Sequence, residues 1–188
     1  MFQGEKVLLR LMREEDIPRH HEFNQDPELY VLDSDYPRVC GIESARTFYE
    51  SRTKFNEEMA GFAIEADGKY IGSCELMNLT DRHGNLSLGI QIGDRAYWGR
   101  GYGRDAIKLL LEYGFRYRGA HRISLATNAK NERALRCYHA CGFIEEGRSR
   151  KAIWVDGEYT DVVKMGILRE EWQAPQSESP REPSKLRD

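Results

Sequence analysis

The chain has 188 residues, 40% hydrophobic and 31% charged, with a formal net charge of −3 and a pI near 6.0. That suits one soluble domain with a real core, and the slight acidity argues against a general nucleic-acid binder, which carries a basic excess or face. No apolar run approaches a bilayer span and the start "MFQGEKVLLRLMREEDIP" lacks a signal-peptide layout, so the expectation is a cytoplasmic protein with neither nucleic acid nor membrane as partner.

"KVLLRLMR" (6–13) alternates Val7, Leu9 and Leu11 against Leu8, Arg10 and Met12, which predicts a first strand. Asp16 offers an N-cap, with Pro18 in the first turn and Ile17, His20, His21 and Phe23 following as a short helix. "ELYVLDSDYPRVCG" reads as an irregular loop. Ile42, Ala45, Phe48, Tyr49, Arg52, Phe55 and Met59 recur at helical spacing and predict a helix over 43–58. "GFAIEADGKYIGSCELMNL" is two strands around Asp67-Gly68, a dipeptide suited to positive φ at both turn centres. "DRHGN" turns the chain again into the strand "LSLGIQIG".

Next comes "AYWGRGYGRDAIKLLLEYGF" (96–115), a glycine loop running straight into an amphipathic helix. "HRISLAT" is a strand and "NERALRCYHAC" a helix with Gly142 at its C-terminal stop. "IEEGRSRKAIWVDGEYTDVVKMGIL" is a long hairpin around Asp156-Gly157. The order β-α-α-β-β-β-α-β-α-β-β predicts an α+β (mixed α/β) fold: a mostly antiparallel twisted sheet, one parallel pair, and helices on both faces. Residues 1–173 are expected to form a single domain. From Ala174 the proline-, serine- and charge-rich remainder reads as a disordered tail.

Cys40, Cys74, Cys137 and Cys141 are irregularly spaced and do not form a disulfide framework. His139 lies between the last two, but a zinc site lacks a second ligand pair, so buried thiols are expected and no metal. The five histidines show no mutual spacing that implies a site.

A helix N-terminus exposes unpaired N–H groups and attracts phosphate. Gly99, Gly101 and Gly103 let a backbone approach an anion closely, and Arg100 and Arg104 add formal charge. A plain strand-to-helix connection would need one glycine rather than three. No Walker A pattern is present, and G-x-G-x-G after antiparallel hairpins is a weak dinucleotide signal.

These residues resemble the GNAT family of acetyl-CoA-dependent N-acetyltransferases, within it the group of RimJ/RimL ribosomal-protein N-terminal and SpeG spermidine acetyltransferases. The likeness spans about residues 5–172 and rests on four stretches in fixed order: "IEADGKYIGSCEL", "GIQIGDRAYWGRGYGRDAI", "ATNAKNERALRCYHACGF" and "WVDGEYTDVVKMGIL". It implies the GNAT fold, with the parallel pair at the cofactor cleft. In the family's Q/R-x-x-G-x-G/A motif Gly101 and Gly103 match, whereas Trp98 stands at the Gln/Arg position. By resemblance, amides from Gly99 through Arg100, Gly101, Tyr102 and Gly103 to Arg104 hold the pyrophosphate of coenzyme A. Gln91 and Ile92 on "GIQI" pair with pantetheine like an added strand. Asn131 bonds pantetheine, a role compatible with capping its own helix.

The chemistry requires an oxyanion donor, a proton for the leaving sulfur, and removal of the amine's proton. Backbone N–H groups near Ile92 would serve the first. Tyr138, placed as in the family's helix, is the expected general acid, since a phenol is protonated at neutral pH. Glu75 is the first choice for base, with Asp33, Asp35 and Asp81 as loop carboxylates that could do the same. Each also reads as an ordinary surface carboxylate, and a dedicated base is not required.

An α-amine with pKa near 7.7–8.0 is tens of per cent neutral near neutral pH, and a lysine-like amine only about 0.1%. A protein or peptide N-terminus is therefore the expected acceptor. A polyamine, an aminoglycoside or another small amine is the alternative, and a non-catalytic acyl-CoA sensor a further one. A homodimer is admitted, though nothing in the residues decides it.

Overall fold

The computed structural model describes residues 1–33, 40–54 and 56–172. Asp35, Phe55 and the tail from Ala174 lie outside the described residues. Eight strands among the described residues form one sheet: β1 (Phe2–Gln3), β2 (Leu8–Arg10), β3 (Met59–Ala66), β4 (Lys69–Met77), β5 (Asn85–Ile92), β6 (Arg122–Asn128), β7 (Ile144–Val155) and β8 (Glu158–Leu168). Their order is β1-β2-β3-β4-β5-β6-β8-β7, antiparallel throughout except for β5 beside β6. The helices are α1 (Ile17–Phe23), α2 (Pro27–Leu32), α3 (Ile42–Thr53), α4 (Tyr102–Glu112) and α5 (Glu132–His139).

Apolar residues fall into two layers. Ile64, Ile71 and Leu76 pack with Ile107, Leu110 and Phe115 from α4 and the turn after it, forming the larger core. Ala63 and Tyr70 meet Met12, Phe23 and Leu29, with Phe48 and Tyr49 of α3, in a smaller one. Ala63 and Ile64 are neighbours in β3, and strand alternation sends them into different layers. The sheet is thus covered by helices on both faces, as the α+β reading requires.

Local signals set the hairpins. Asp67 and Gly68 take φ of 51° and 71°, and Asp156 and Gly157 take 51° and 80°, the left-handed geometry of tight β-turns. Three expectations change. The first strand is only Leu8–Arg10, because Asp16 does not cap α1: its carboxylate instead accepts from Arg10 Nη1 (2.7 Å), Arg10 Nη2 (2.9 Å) and the Arg13 amide (2.8 Å), turning the chain after Arg10. Within the stretch read as a loop, α2 forms: Asp26 caps it by accepting from the Glu28 amide, and Pro27 supplies the preset φ of the first turn. The third helix stops at Thr53 with Lys54 extended, and Met59 opens β3. After Glu112, α4 continues as one π-helical turn, Tyr113–Tyr117.

Candidate active site

β5 and β6 are paired only from Asn85–Arg122 to Ser87–Ser124. Beyond Ser87, β5 keeps β4 on one side through Ile92, and β6 keeps β8 through Asn128. The two strands therefore diverge, and Leu88–Ile92 presents one edge without a strand partner. Into that divergence opens a cavity of about 580 Å³, walled by β5, the loop 97–101, the first turn of α4, and α5. Gln91, Ile92, Trp98, Gly99, Gly101, Gly103, Arg104, Asn131 and Tyr138 all line it.

Gly99 and Gly101 have φ of 68° and 90°, and left-handed Gly101 is the N-cap residue of α4. An L side chain would be strained at both. Gly103 differs. A Cβ there would meet Ile92 and Cys137 only at ordinary distances, 3.6 and 4.0 Å, so packing tolerates one, and the space it would fill is cavity. Bare backbone facing open volume at a helix start fits an anionic ligand.

Arg104 is exposed along this wall, but Arg100 and Tyr102 point elsewhere. Arg100 donates to the Ala96 carbonyl (3.0 Å), and the buried Tyr102 ring packs edge-on against Tyr97 (4.9 Å). Those two positions offer backbone amides alone. Lys6 was not singled out in the sequence. Its side chain nonetheless runs within van der Waals reach of Gly101 and over the Tyr102 ring, placing another cation beside the loop.

Asp105 was missed as well. Its carboxylate accepts from the amides of Glu5 (3.3 Å), Lys6 (2.7 Å) and Val7 (3.0 Å), pinning the start of the chain to α4. Those partners lie about a hundred residues away in sequence, beyond any local pattern.

Trp98 is fixed by its indole N–H, which donates to the Ile92 carbonyl (2.6 Å), and the Arg133 guanidinium lies 3.6 Å from its ring centroid. Asn131 caps α5 through Oδ1, which accepts from the Ala134 amide (3.1 Å), while Nδ2 donates to the Leu32 carbonyl (3.2 Å) at the end of α2. Tyr138 is 8% exposed, touches Phe143 edge-on, and its hydroxyl has no hydrogen-bond partner among the described residues. Burial raises its phenol well above the ordinary value, keeping the proton on.

Glu75 stands apart from Tyr138. It lies across β5 in a second cavity of about 410 Å³, which shares Asp33 and Gly89–Gln91 with the first. There it forms an ion pair with Arg52, and it presses on Gly89 so closely that a Cβ would come within 2.8 Å of its carboxylate. Asp33 accepts from Gln91 Nε2 and lines both cavities. Asp81 is a turn residue: it accepts from the amides of His83 (2.9 Å) and Asn85 (3.0 Å), which hold its carboxyl below the usual range. It lines neither cavity.

His20 is buried in the second cavity's wall, bonded to the Tyr70 hydroxyl (3.0 Å) and stacked on Phe48 (4.1 Å). Burial first, then Arg52, pushes its imidazole down to about 4. Of the four cysteines only Cys74 is fully buried; Cys137, half-buried, lines the larger cavity. Among the described residues no three His, Cys, Asp or Glu side chains are grouped as a metal ion would require, and no helix is long and apolar enough to cross a membrane.

A splayed parallel pair, a glycine-opened helix start and the buried Tyr138 wall one cleft. The family model described as the acetyltransferase (GNAT) domain matches residues 6–144, and the chain belongs to that family of N-acetyltransferase enzymes. Spermidine N(1)-acetyltransferase of Escherichia coli (strain K12) is 25% identical over 174 residues, covering 93% of this chain and 92% of that protein. The spermidine N(1)-acetyltransferase of Vibrio cholerae serotype O1 is 27% identical over 169 residues, covering 89% and 95%. The crystal structure of spermidine N-acetyltransferase from Vibrio cholerae in complex with CoA and spermine matches with a TM-score of 0.79 at 25% identity, covering 89% of this chain and 98% of that one.

Proposed function

We propose that the protein acetylates a primary amine of a polyamine such as spermidine or spermine, using acetyl-CoA. The observation that carries this reading is the near full-length likeness to spermidine acetyltransferases, one of them complexed with CoA and spermine. It replaces a protein N-terminus, expected from amine basicity alone, as the preferred acceptor.

The geometry supports a division of labour across β5. On the α4 side, the amides from Gly99 to Arg104 hold the diphosphate, the free edge at Gln91 and Ile92 pairs with the pantetheine arm, and Asn131 bonds it. On the β4 side, Glu75 pairs with Arg52 in a cavity that Asp33 also lines, and His20, pushed down to about 4, is neutral at pH 7, so Glu75 is the carboxylate that meets the acceptor's amine. A polyamine nitrogen near pKa 10.4 is about 0.1% neutral at pH 7.4, so it needs help losing its proton. Glu75, directly or through water, takes that proton. The amine nitrogen then bonds to the thioester carbonyl carbon, backbone N–H groups near Ile92 stabilise the oxygen, and the carbon–sulfur bond breaks. Tyr138 gives its proton to the departing thiolate, and the second proton shed by the acylated nitrogen restores the phenol, while Glu75 releases its proton to solvent.

Release of free thiol from acetyl-CoA, measured with spermidine, spermine, a peptide with a free N-terminus and an aminoglycoside, tests this. The polyamines should show kcat/KM at least about tenfold above the peptide, a gap of roughly 1.4 kcal/mol. A peptide or aminoglycoside that outperforms them would remove the polyamine assignment.

A further inference from the structure

Arginines of the described residues are mostly engaged: Arg10, Arg19, Arg52, Arg95, Arg122 and Arg148 each face a carboxylate. Arg133 does not. It lines the cofactor cavity, half-buried, with no carboxylate or hydrogen-bond acceptor taking its guanidinium among the described residues. What holds it is Trp98, at 3.6 Å from the ring centroid. Arg95 also lies near that indole (5.5 Å), but Asp26 and Glu28 already neutralise it.

A guanidinium laid on an aromatic ring uses its face and leaves its in-plane N–H fork free, the edge that matches a phosphate. The platform is itself immobile, because the indole N–H is committed to the Ile92 carbonyl. Trp98 belongs to the loop ahead of α4 and Arg133 to the first turn of α5, so the stack spans the two walls of the cleft. Arg104, also without a carboxylate partner, lines the same cavity from α4. Partial burial, with Arg95 assisting and Glu28 opposing, draws the Arg133 guanidinium below the ordinary arginine value.

We propose that Arg133, oriented by Trp98, binds a phosphate monoester of the acyl donor, the 3′-phosphate of the coenzyme A ribose, separately from the diphosphate at the α4 N-terminus. The position ahead of the glycines thus carries no charge of its own and serves as the shelf for a charge from α5. Trp98 is a positioning residue and Arg133 a specificity-determining one. The inference rests on the acetyl-CoA reading above.

Calorimetric Kd values for coenzyme A and 3′-dephospho-coenzyme A, on the wild type and on Arg133→Ala, Arg133→Lys and Trp98→Ala, test it. Wild type should prefer coenzyme A by about tenfold or more. Arg133→Ala should narrow that preference to about twofold by weakening coenzyme A alone, and Arg133→Lys, with charge but no fork, should fall between. Trp98→Ala should also narrow it. Equal wild-type affinity for both nucleotides, or equal weakening of both by Arg133→Ala, would overturn the assignment. Full preference in Trp98→Ala would overturn the shelf. Binding of neither nucleotide by wild type would instead sink the acetyl-CoA reading. Far-UV circular dichroism of each variant excludes unfolding as the cause.

Discussion

The two sides of β5 are built by opposite means. Toward α4 and α5 the wall is largely backbone, left-handed glycines and an unpartnered strand edge, with Arg104 and Arg133 facing no carboxylate among the described residues. Toward β4 the wall is side chains paired with one another: Arg52 with Glu75, His20 with Tyr70, Gln91 with Asp33. A ligand entering the first side finds donors waiting. One entering the second must compete with pairs in place. A site made of backbone can be shared by a whole family with one donor, whereas one made of paired side chains can vary with the acceptor, as the proposed function requires.

The largest effect that would test this contrast is at the junction. Tyr138→Phe removes the proposed proton donor and leaves the ring, so kcat should fall by about 10²-fold or more. The Kd for coenzyme A should stay within about twofold, read by single-turnover kinetics and calorimetry. Unchanged turnover would take Tyr138 out of the reaction.

Acid should attack the paired side first. His20 has its folded pKa lowered to about 4, against about 6.5 in the unfolded chain. The unfolded state therefore binds the proton more readily. The stability His20 contributes is fully present above pH 6.5 and is lost as pH falls toward 4. The loss approaches about 3 kcal/mol. Urea unfolding of wild type and His20→Phe between pH 7.5 and 4.5 measures it, and the variant should show the shallower decline. Parallel slopes would mean His20 is not the titrating group.

A smaller effect should separate acceptor from donor. Glu75→Gln removes the proposed base together with its charge, so kcat with spermidine should fall about tenfold and KM should rise by less than that, with coenzyme A affinity unchanged. A change in coenzyme A affinity equal to that in KM would erase the division drawn across β5.

The same contrast explains what was legible in the sequence. Hairpins at Asp67-Gly68 and Asp156-Gly157, the glycine loop, and α5 with its Asn131 cap are local signals, and each lands where the pattern puts it. Helix α2 was legible too, in Asp26-Pro27, but six residues gave too little periodicity against the polar stretch that follows. Long-range partners were not legible. Glu75 reads as a lone carboxylate until α3 brings Arg52 to it, and Trp98 reads as a departure from a motif until α5 lays Arg133 across it. Asp16 looked like a cap because its spacing was right, but an arginine six residues earlier and the Arg13 amide take its oxygens in place of the amides of α1.

The clasp between Asp105 and the amides of residues 5–7 has a practical side. Gly4 runs so near that carboxylate that a Cβ would come within 2.4 Å of it, leaving little room to reroute the chain there. Trimming of the first seven residues would therefore remove all three donors to Asp105 and loosen the opening turn of α4.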